Sequence, residues 1–592
     1  MFPDYSSELP VVIDVNGTPL YFEIKVDEFS WSPISSIRDA VDQNAEAGEQ
    51  SIVRTGLWKR TRGNWTLGEN QDYGDEPGDS EELQYYQSRG INPWDQRKLF
   101  LLNDVEQKRT TANTTGKLVA VDDRVYWLDG TTLRYDTTPE GSGGFTSVVA
   151  GTFTDITQYG NKLVAARGTD VRIIDNATNN AFSTADADYV LYGNGRLIGM
   201  HDNELFELDS VGAKATLFTH PNISFVWKGG VSASNGIYVF GTAGLTSEIY
   251  FIGIDDATTS LFAPYTAAPL VPNEEVHCLY YYGGVIVIGT ERGFRLANIT
   301  GNGHLSYGPL IEVGPVKQFA GDGEDLWFTW TNYDGSYTGL GRTRLDRGTD
   351  VLVPRYASDV MAAAQGTVLA ACTFESRQYF VVSGNGLYGT IDNKVATGWL
   401  NSGWITYGTS ELKEMHSLDV RHEPLPAGSS VTGKLVKEDL TKTTVVTSTA
   451  TNAVGKIADV SPKFTTEQIQ IEIELARATN ATVSPEFRRW TLRAVPMPFK
   501  QSVFILPLLF TSVVEMGRGQ RVRQNTLNQW NALRALEAAR TLIQVKIGDV
   551  SVDCRVDGVG IQPGGVHSWS NNAKWFEGVV MVRFETAETI GS

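Results

Sequence analysis

The sequence predicts a mainly β chain: a seven-bladed β-propeller, then a β-sandwich, then a small C-terminal α+β domain. Three observations carry this expectation. First, a β-branched run, a polar turn and a second β run recur seven times between Lys117 and Asp392. Matched apolar positions are Val125, Leu163, Leu197, Ile237, Val285, Leu326 and Val368, at steps of 34 to 48 residues. That is the period of a four-stranded propeller blade. Second, beyond Gly398 the strands lie between longer polar loops, and Gln468–Ala476 alternates Ile with Gln or Glu. Third, one strong helical pattern stands near the C-terminus, flanked by strands.

The boundaries come from these patterns. Residues 1–114 form an N-terminal β segment, 115–398 the propeller, 399–498 the sandwich and 499–592 the α+β domain. The first segment opens with a hairpin, Val11–Ile24, turning on Asn16-Gly17, a dipeptide that accepts positive φ. Trp31, Trp58, Trp65 and Trp94 punctuate the rest of that segment. Each small sheet of the repeat leaves its faces uncovered, and radial stacking covers them. A sandwich built of similar hairpins is the competing architecture, but sandwich strands do not usually hold one period for so long. The longest connection of the repeat lies between Leu261 and Pro272. Long loops on a rigid ring are where binding surfaces usually sit.

The sandwich is read from period-2 alternation with one wet face. In the last domain, Thr526 and Gln529 have capping-box spacing. Leu527, Trp530, Leu533 and Leu536 recur at helical spacing through about Arg540, and strands are expected at 542–547, 550–556 and 576–585.

Composition narrows the function classes. Of 592 residues, 41% are apolar and 20% charged, and 59 glycines with 14 tryptophans suit many short strands around large cores. The net charge of −19 repels phosphate backbones and anionic lipid, so no nucleic-acid partner is expected. The longest apolar run, Val503–Phe510, is too short to span a bilayer. The N-terminus carries no secretory pattern. Cys278, Cys372 and Cys554 are odd in number and far apart, and read as buried free thiols made in a reducing compartment.

A search for chemistry finds little. None of the seven histidines lies in a zinc-protease helix pattern. His416 and His422 share one side of a strand but lack further ligands. The acidic stretch Glu69–Glu82, with seven carboxylates, lacks the spacing of a calcium loop and reads as a solvated loop. Gly193–Gly199 is a blade turn, since no helix comes after it. The Asp residues closing the repeats (Asp136, Asp175, Asp209, Asp255, Asp346, Asp392) recur with the blades, so turn hydrogen bonds explain them better than a catalytic pair. Tyr280, Tyr281 and Tyr282 offer aromatic faces for sugar, but packing is the plainer role. No catalytic, cofactor-binding or metal-binding residue is assigned, and no cofactor is expected.

Three stretches carry a resemblance: Leu57–Trp65 leading to Ser88–Leu102, then Gly403–Val431, then Asn525–Val545. In order and wording the chain resembles the minor tail proteins of long-tailed actinobacteriophages, the mycobacteriophage-like siphophages. The resemblance implies a structural virion component at the distal tail. It also implies synthesis in the bacterial host cytoplasm and no enzymatic activity. It implies partners among other tail proteins, copies of the chain in a symmetric assembly, and a face for adhesion to host-envelope glycan. It also implies that the last domain is similar to folds used in tail rings. The alternative is a glycan-binding or glycan-cleaving propeller protein.

Overall fold

In a computed structural model the chain is mainly β with one helix among the described residues. These residues are 10–15, 18–24, 30–35, 58–70, 84–95, 97–141, 145, 147–255, 260–270, 273–331, 338–345, 355–362, 366–407, 412–496, 500–516, 520–539, 543–547, 550–570 and 575–586. They fall into two compact units. One comprises Met1–Asp42, Glu49–Trp58 and Val495–Ser592; the other comprises Gln43–Gly48 and Lys59–Ala494.

The larger unit contains seven four-stranded antiparallel sheets. Their innermost strands are Gly116–Val121, Asp155–Tyr159, Tyr189–Gly193, Val226–Ala233, Val276–Tyr282, Phe319–Asp322 and Val368–Phe374. Burial between sheets shows how they are arranged. Leu133 and Val149 of the first sheet pack with Ile156 and Leu163 of the second. Val164 and Val171 of the second pack with Leu197 and Phe206 of the third. The same holds for third with fourth, fourth with fifth, fifth with sixth and sixth with seventh. A last cluster joins Leu118, Val125 and Trp127 of the first sheet to Ala370, Tyr379 and Val381 of the seventh. The sheets therefore form a closed ring, a β-propeller arrangement in which each sheet covers its neighbour.

The seventh sheet is closed by the chain's earlier part. Asn103–Thr110 pairs antiparallel with Gly386–Lys394, so the outermost strand comes from the segment expected to precede the ring. This pins the two ends of the ring together through backbone hydrogen bonds. It also shifts the seventh repeat by one strand. In the first six sheets the matched apolar position starts or nearly starts the second strand, whereas Val368 begins the innermost one. Val368–Cys372 is an unbroken apolar run like Val285–Ile288, so the pattern alone did not tell the two strands apart.

Two further sheets come after the ring. One runs Lys442–Ser448, Ser430–Val436, Gln470–Ala476, Thr397–Asn401, Gln87–Arg89; the other contains Trp58–Arg62, Phe487–Pro496, Lys413–His422, Gly455–Asp459 and Thr465–Thr466. They face each other: a Cβ on Gly433 would meet Leu418 at 2.7 Å and Val420 at 3.2 Å. Each takes a strand from before the ring, so residues 58–62 and 87–89 belong here rather than to a separate N-terminal segment. The expected wet face of Gln470–Ala476 is covered. Glu472 is 1% exposed, held by Lys434 at 3.0 Å from the neighbouring strand and by Lys442 at 2.5 Å from the strand beyond it. Two ammonium groups replace the water that the alternation led one to expect.

Arg89 ties these sheets to the ring. It is fully buried, 4.3 Å from the ring centre of Trp330 in the sixth sheet and 5.7 Å from that of Trp399. Glu69 lies 3.9 Å from its guanidinium. Most of the remaining acidic stretch, 71–82, lies outside the described residues.

The smaller unit joins both ends of the sequence. Its strands are ordered Thr18–Ile24, Pro10–Val15, Ile543–Ile547, Val550–Ser570, Trp575–Thr586, Lys500–Phe510 and Ser30–Ser35. Thr18–Ile24 also pairs with Lys500–Phe510, which closes the sheet on itself. The helix Thr526–Ala539 packs Leu533 and Leu536 into a core with Val11, Phe22, Leu508 and Val580. An α+β unit confined to 499–592 is thus incomplete, because two of its core strands are the N-terminal hairpin. The helix cap also differs from the expectation at Thr526. Asn525 Oδ1 accepts from the N–H groups of Leu527 at 3.0 Å and Asn528 at 3.3 Å. Thr526 is buried in the first turn, and Gln529 donates to the Tyr21 carbonyl at 2.8 Å.

Candidate functional site

The seven innermost strands enclose an axial channel of about 1040 Å³. Its wall is built from strand starts at one mouth and strand ends at the other. Lys117, Asp155, Tyr189, Lys228 and His277 stand at or within three residues of a strand start, and Lys317 just before one. Alternation turns such a residue toward the axis while its neighbour packs between sheets.

At this mouth every lysine meets a carboxylate. Lys117 Nζ lies 2.7 Å from Asp155 Oδ1, and Asp155 Oδ2 accepts the Val190 N–H at 3.1 Å. Lys228 donates to Glu275 at 2.8 Å. Lys317 donates to Glu291 at 3.1 Å and lies 2.6 Å from His277 Nε2, which also contacts the Glu291 carboxylate. The pairs bridge consecutive sheets. Gln318 donates to the Leu118 carbonyl at 2.9 Å, reaching from the sixth sheet past the seventh to the first.

Electrostatics at this mouth follow from these contacts. The hydrogen bond from Lys228 holds the Glu275 carboxyl below its usual range. For Glu291, burial raises the pKa, but His277 and Lys317 together bring it below the usual value. Burial, and then the Lys317 ammonium, lower the His277 imidazole, with Glu291 pulling the other way. Three ammoniums thus face three carboxylates around a neutral imidazole. The arrangement can donate and accept hydrogen bonds side by side without a net charge.

The residues singled out in the sequence lie elsewhere. Asp136 accepts the N–H groups of Thr138 and Phe145 at 2.7 and 2.6 Å. Asp209 accepts those of Val211 and Ala213 at 2.9 and 2.8 Å. Asp175 pairs with Lys162 at 2.8 Å and Asp392 with Arg377 at 3.1 Å. These are bonds within single blades, and the structure does not bring the aspartates together. Asp255 joins Ser260 through its backbone N–H at 2.9 Å, and Asp346 lies outside the described residues. Tyr280 Oη accepts the Gly321 N–H at 3.2 Å, Tyr281 donates to Ser234 at 3.1 Å and Tyr282 donates to the Gly323 carbonyl. All three hydroxyls are therefore engaged by adjacent sheets. His422 is buried, with its ring nitrogens 2.8 Å from the Glu423 carbonyl and 3.0 Å from Ser448 Oγ. Among the described residues no group of three His, Cys, Asp or Glu side chains is placed to hold a metal, and no helix is long and apolar enough to cross a membrane. The cysteines are free, and burial pushes the Cys372 and Cys554 thiols up to about 12.

The axial residues escaped sequence reasoning because the repeat was indexed on second strands. The signal one strand earlier is a polar residue at or near the start of six of the seven innermost strands, with Lys recurring at 117, 228 and 317.

No protein-family model matches the sequence, and no curated protein matches it. Among solved structures the chain is similar to virginiamycin B lyase from Staphylococcus aureus. Identity is 13% and the TM-score 0.38, covering 49% of this chain and 99% of that one. It is also similar to BamB from Moraxella catarrhalis, at 12% identity and TM-score 0.31, covering 48% and 98%. A computationally designed protein, Ika8, matches at 13% identity and TM-score 0.33, covering 52% and 97%. The ring assignment rests on the sheet topology itself.

Proposed function

We propose that the protein is a structural, non-enzymatic component of a siphophage tail, carried at the distal tip. In this reading the seven sheets are the blades of one propeller, the two facing sheets are a β-sandwich, and the smaller unit anchors the chain in the tail. The observation that carries most weight is the insertion: residues 59–494 run between two parts of one small closed sheet. A large ring-bearing module set into a small anchoring unit is what display requires. The three stretches resembling siphophage minor tail proteins supply the setting, and copies of the chain would assemble with the symmetry of the tail. The ring is the adhesion module, and host-envelope glycan its target.

Mass spectrometry of purified particles from a phage encoding this chain tests the reading. The chain should be recovered at a fixed stoichiometry to the major tail protein. Its absence from particles, with abundance in the lysate, overturns the proposal.

A further inference from the structure

We propose that the channel mouth formed by the innermost strand starts binds the end of a neutral sugar chain. Charge argues first. Lys117, Lys228 and Lys317 are balanced there by Asp155, Glu275 and Glu291. A balanced site offers an ion no net attraction, and the surrounding protein, at −19, repels anions. A sugar, by contrast, carries adjacent hydroxyls that each donate and accept. The three lysines, His277 and Asp155 line the channel and meet both needs at once, and such charge-assisted bonds are stronger than neutral ones.

Shape argues next. The channel, at about 1040 Å³, is at the upper end of the range for ligand pockets, and rigid strands form its wall. Tyr189, half-buried at a strand start, lines this mouth, and such a ring takes the apolar face of a sugar. Gln318, reaching to Leu118, narrows the channel, so a chain end fits this site better than a chain passing through. The inference gives the proposed adhesion module its ligand class, and only its biological setting rests on that reading.

Saturation-transfer NMR on the full chain provides the test. The probes are maltose, lactose and trehalose, with sodium glucuronate as the charged counterpart. At least one neutral probe should receive saturation and glucuronate should not. Lys228→Met and Glu275→Gln should each weaken binding at least tenfold while the melting temperature moves by only a few degrees. If no neutral probe binds at millimolar concentration, or if glucuronate binds better, the inference is overturned. If the variants only lower the melting temperature and sugar binding persists, the pairs are latches between sheets and the inference also fails. Virion content separates the two proposals: sugar binding by a chain absent from particles sinks the tail reading alone.

Discussion

Lys117 Nζ sits 2.7 Å from Asp155 Oδ1, while the other oxygen of Asp155 accepts the Val190 N–H at 3.1 Å. One carboxylate thereby joins the innermost strands of three consecutive sheets. Asp155 is only 4% exposed, so its removal strands a backbone donor and a lysine. Asp155→Ala should cost about 3 kcal/mol in denaturant unfolding of the ring. Asp155→Asn, which keeps an acceptor, should cost less. Equal losses would mean that the carboxylate does not bridge the strands.

The channel mouth should make the ring sensitive to acid in two steps. His277 has a lowered pKa, so its neutral form is favoured in the folded state. Its contribution is present above the unfolded value of about 6.5 and falls away as pH drops below it. Glu275 and Glu291 are also held low, and their contribution is present above about 4.5 and lost below. Melting temperature should therefore fall modestly as pH drops below about 6.5 and more steeply below about 4.5. His277→Gln should remove the first part of the fall alone. A profile unchanged by that substitution would contradict the assignment.

Glu472, 1% exposed, is a deeply buried carboxylate of the paired sheets. Lys434 reaches both Glu472 at 3.0 Å and Glu474 at 2.6 Å; burial lowers its pKa, but the two carboxylates raise it overall. Glu472→Ala leaves Lys442 without this partner and should destabilise by about 3 kcal/mol. Glu474, whose side chain is 32% exposed, should cost under about 1 kcal/mol when replaced by Ala. Urea unfolding of both variants checks the ranking.

The helix of the smaller unit offers a compact test of its cap. Asn525→Ala should cost about 1 kcal/mol, while Asn525→Ser should be nearly neutral, because Ser caps as well. Matching losses in the two variants would place the cap elsewhere.

Much of the ring is legible in the sequence, because a period near 40 residues is a property of covalent order. Its closure is not. Asn103–Thr110 carries polar residues at a ring's outer edge, and nothing local distinguishes such a strand from a linker. The smaller unit is half legible for the same reason: its helix announces itself, but pairing of Val11–Asp14 with Gln544–Ile547 joins residues more than 500 apart. The wet face expected of Gln470–Ala476 failed because alternation records polarity, and Lys434 with Lys442 satisfies a carboxylate as water would. The channel residues were missed because they are spread over six sheets and meet only in space.

Gold-labelled antibody against the ring, applied to intact virions, tests the central claim most directly. Gold is expected at the distal end of the tail, in a constant number per particle. Gold on the head, along the tail shaft, or on no part of the virion would contradict it.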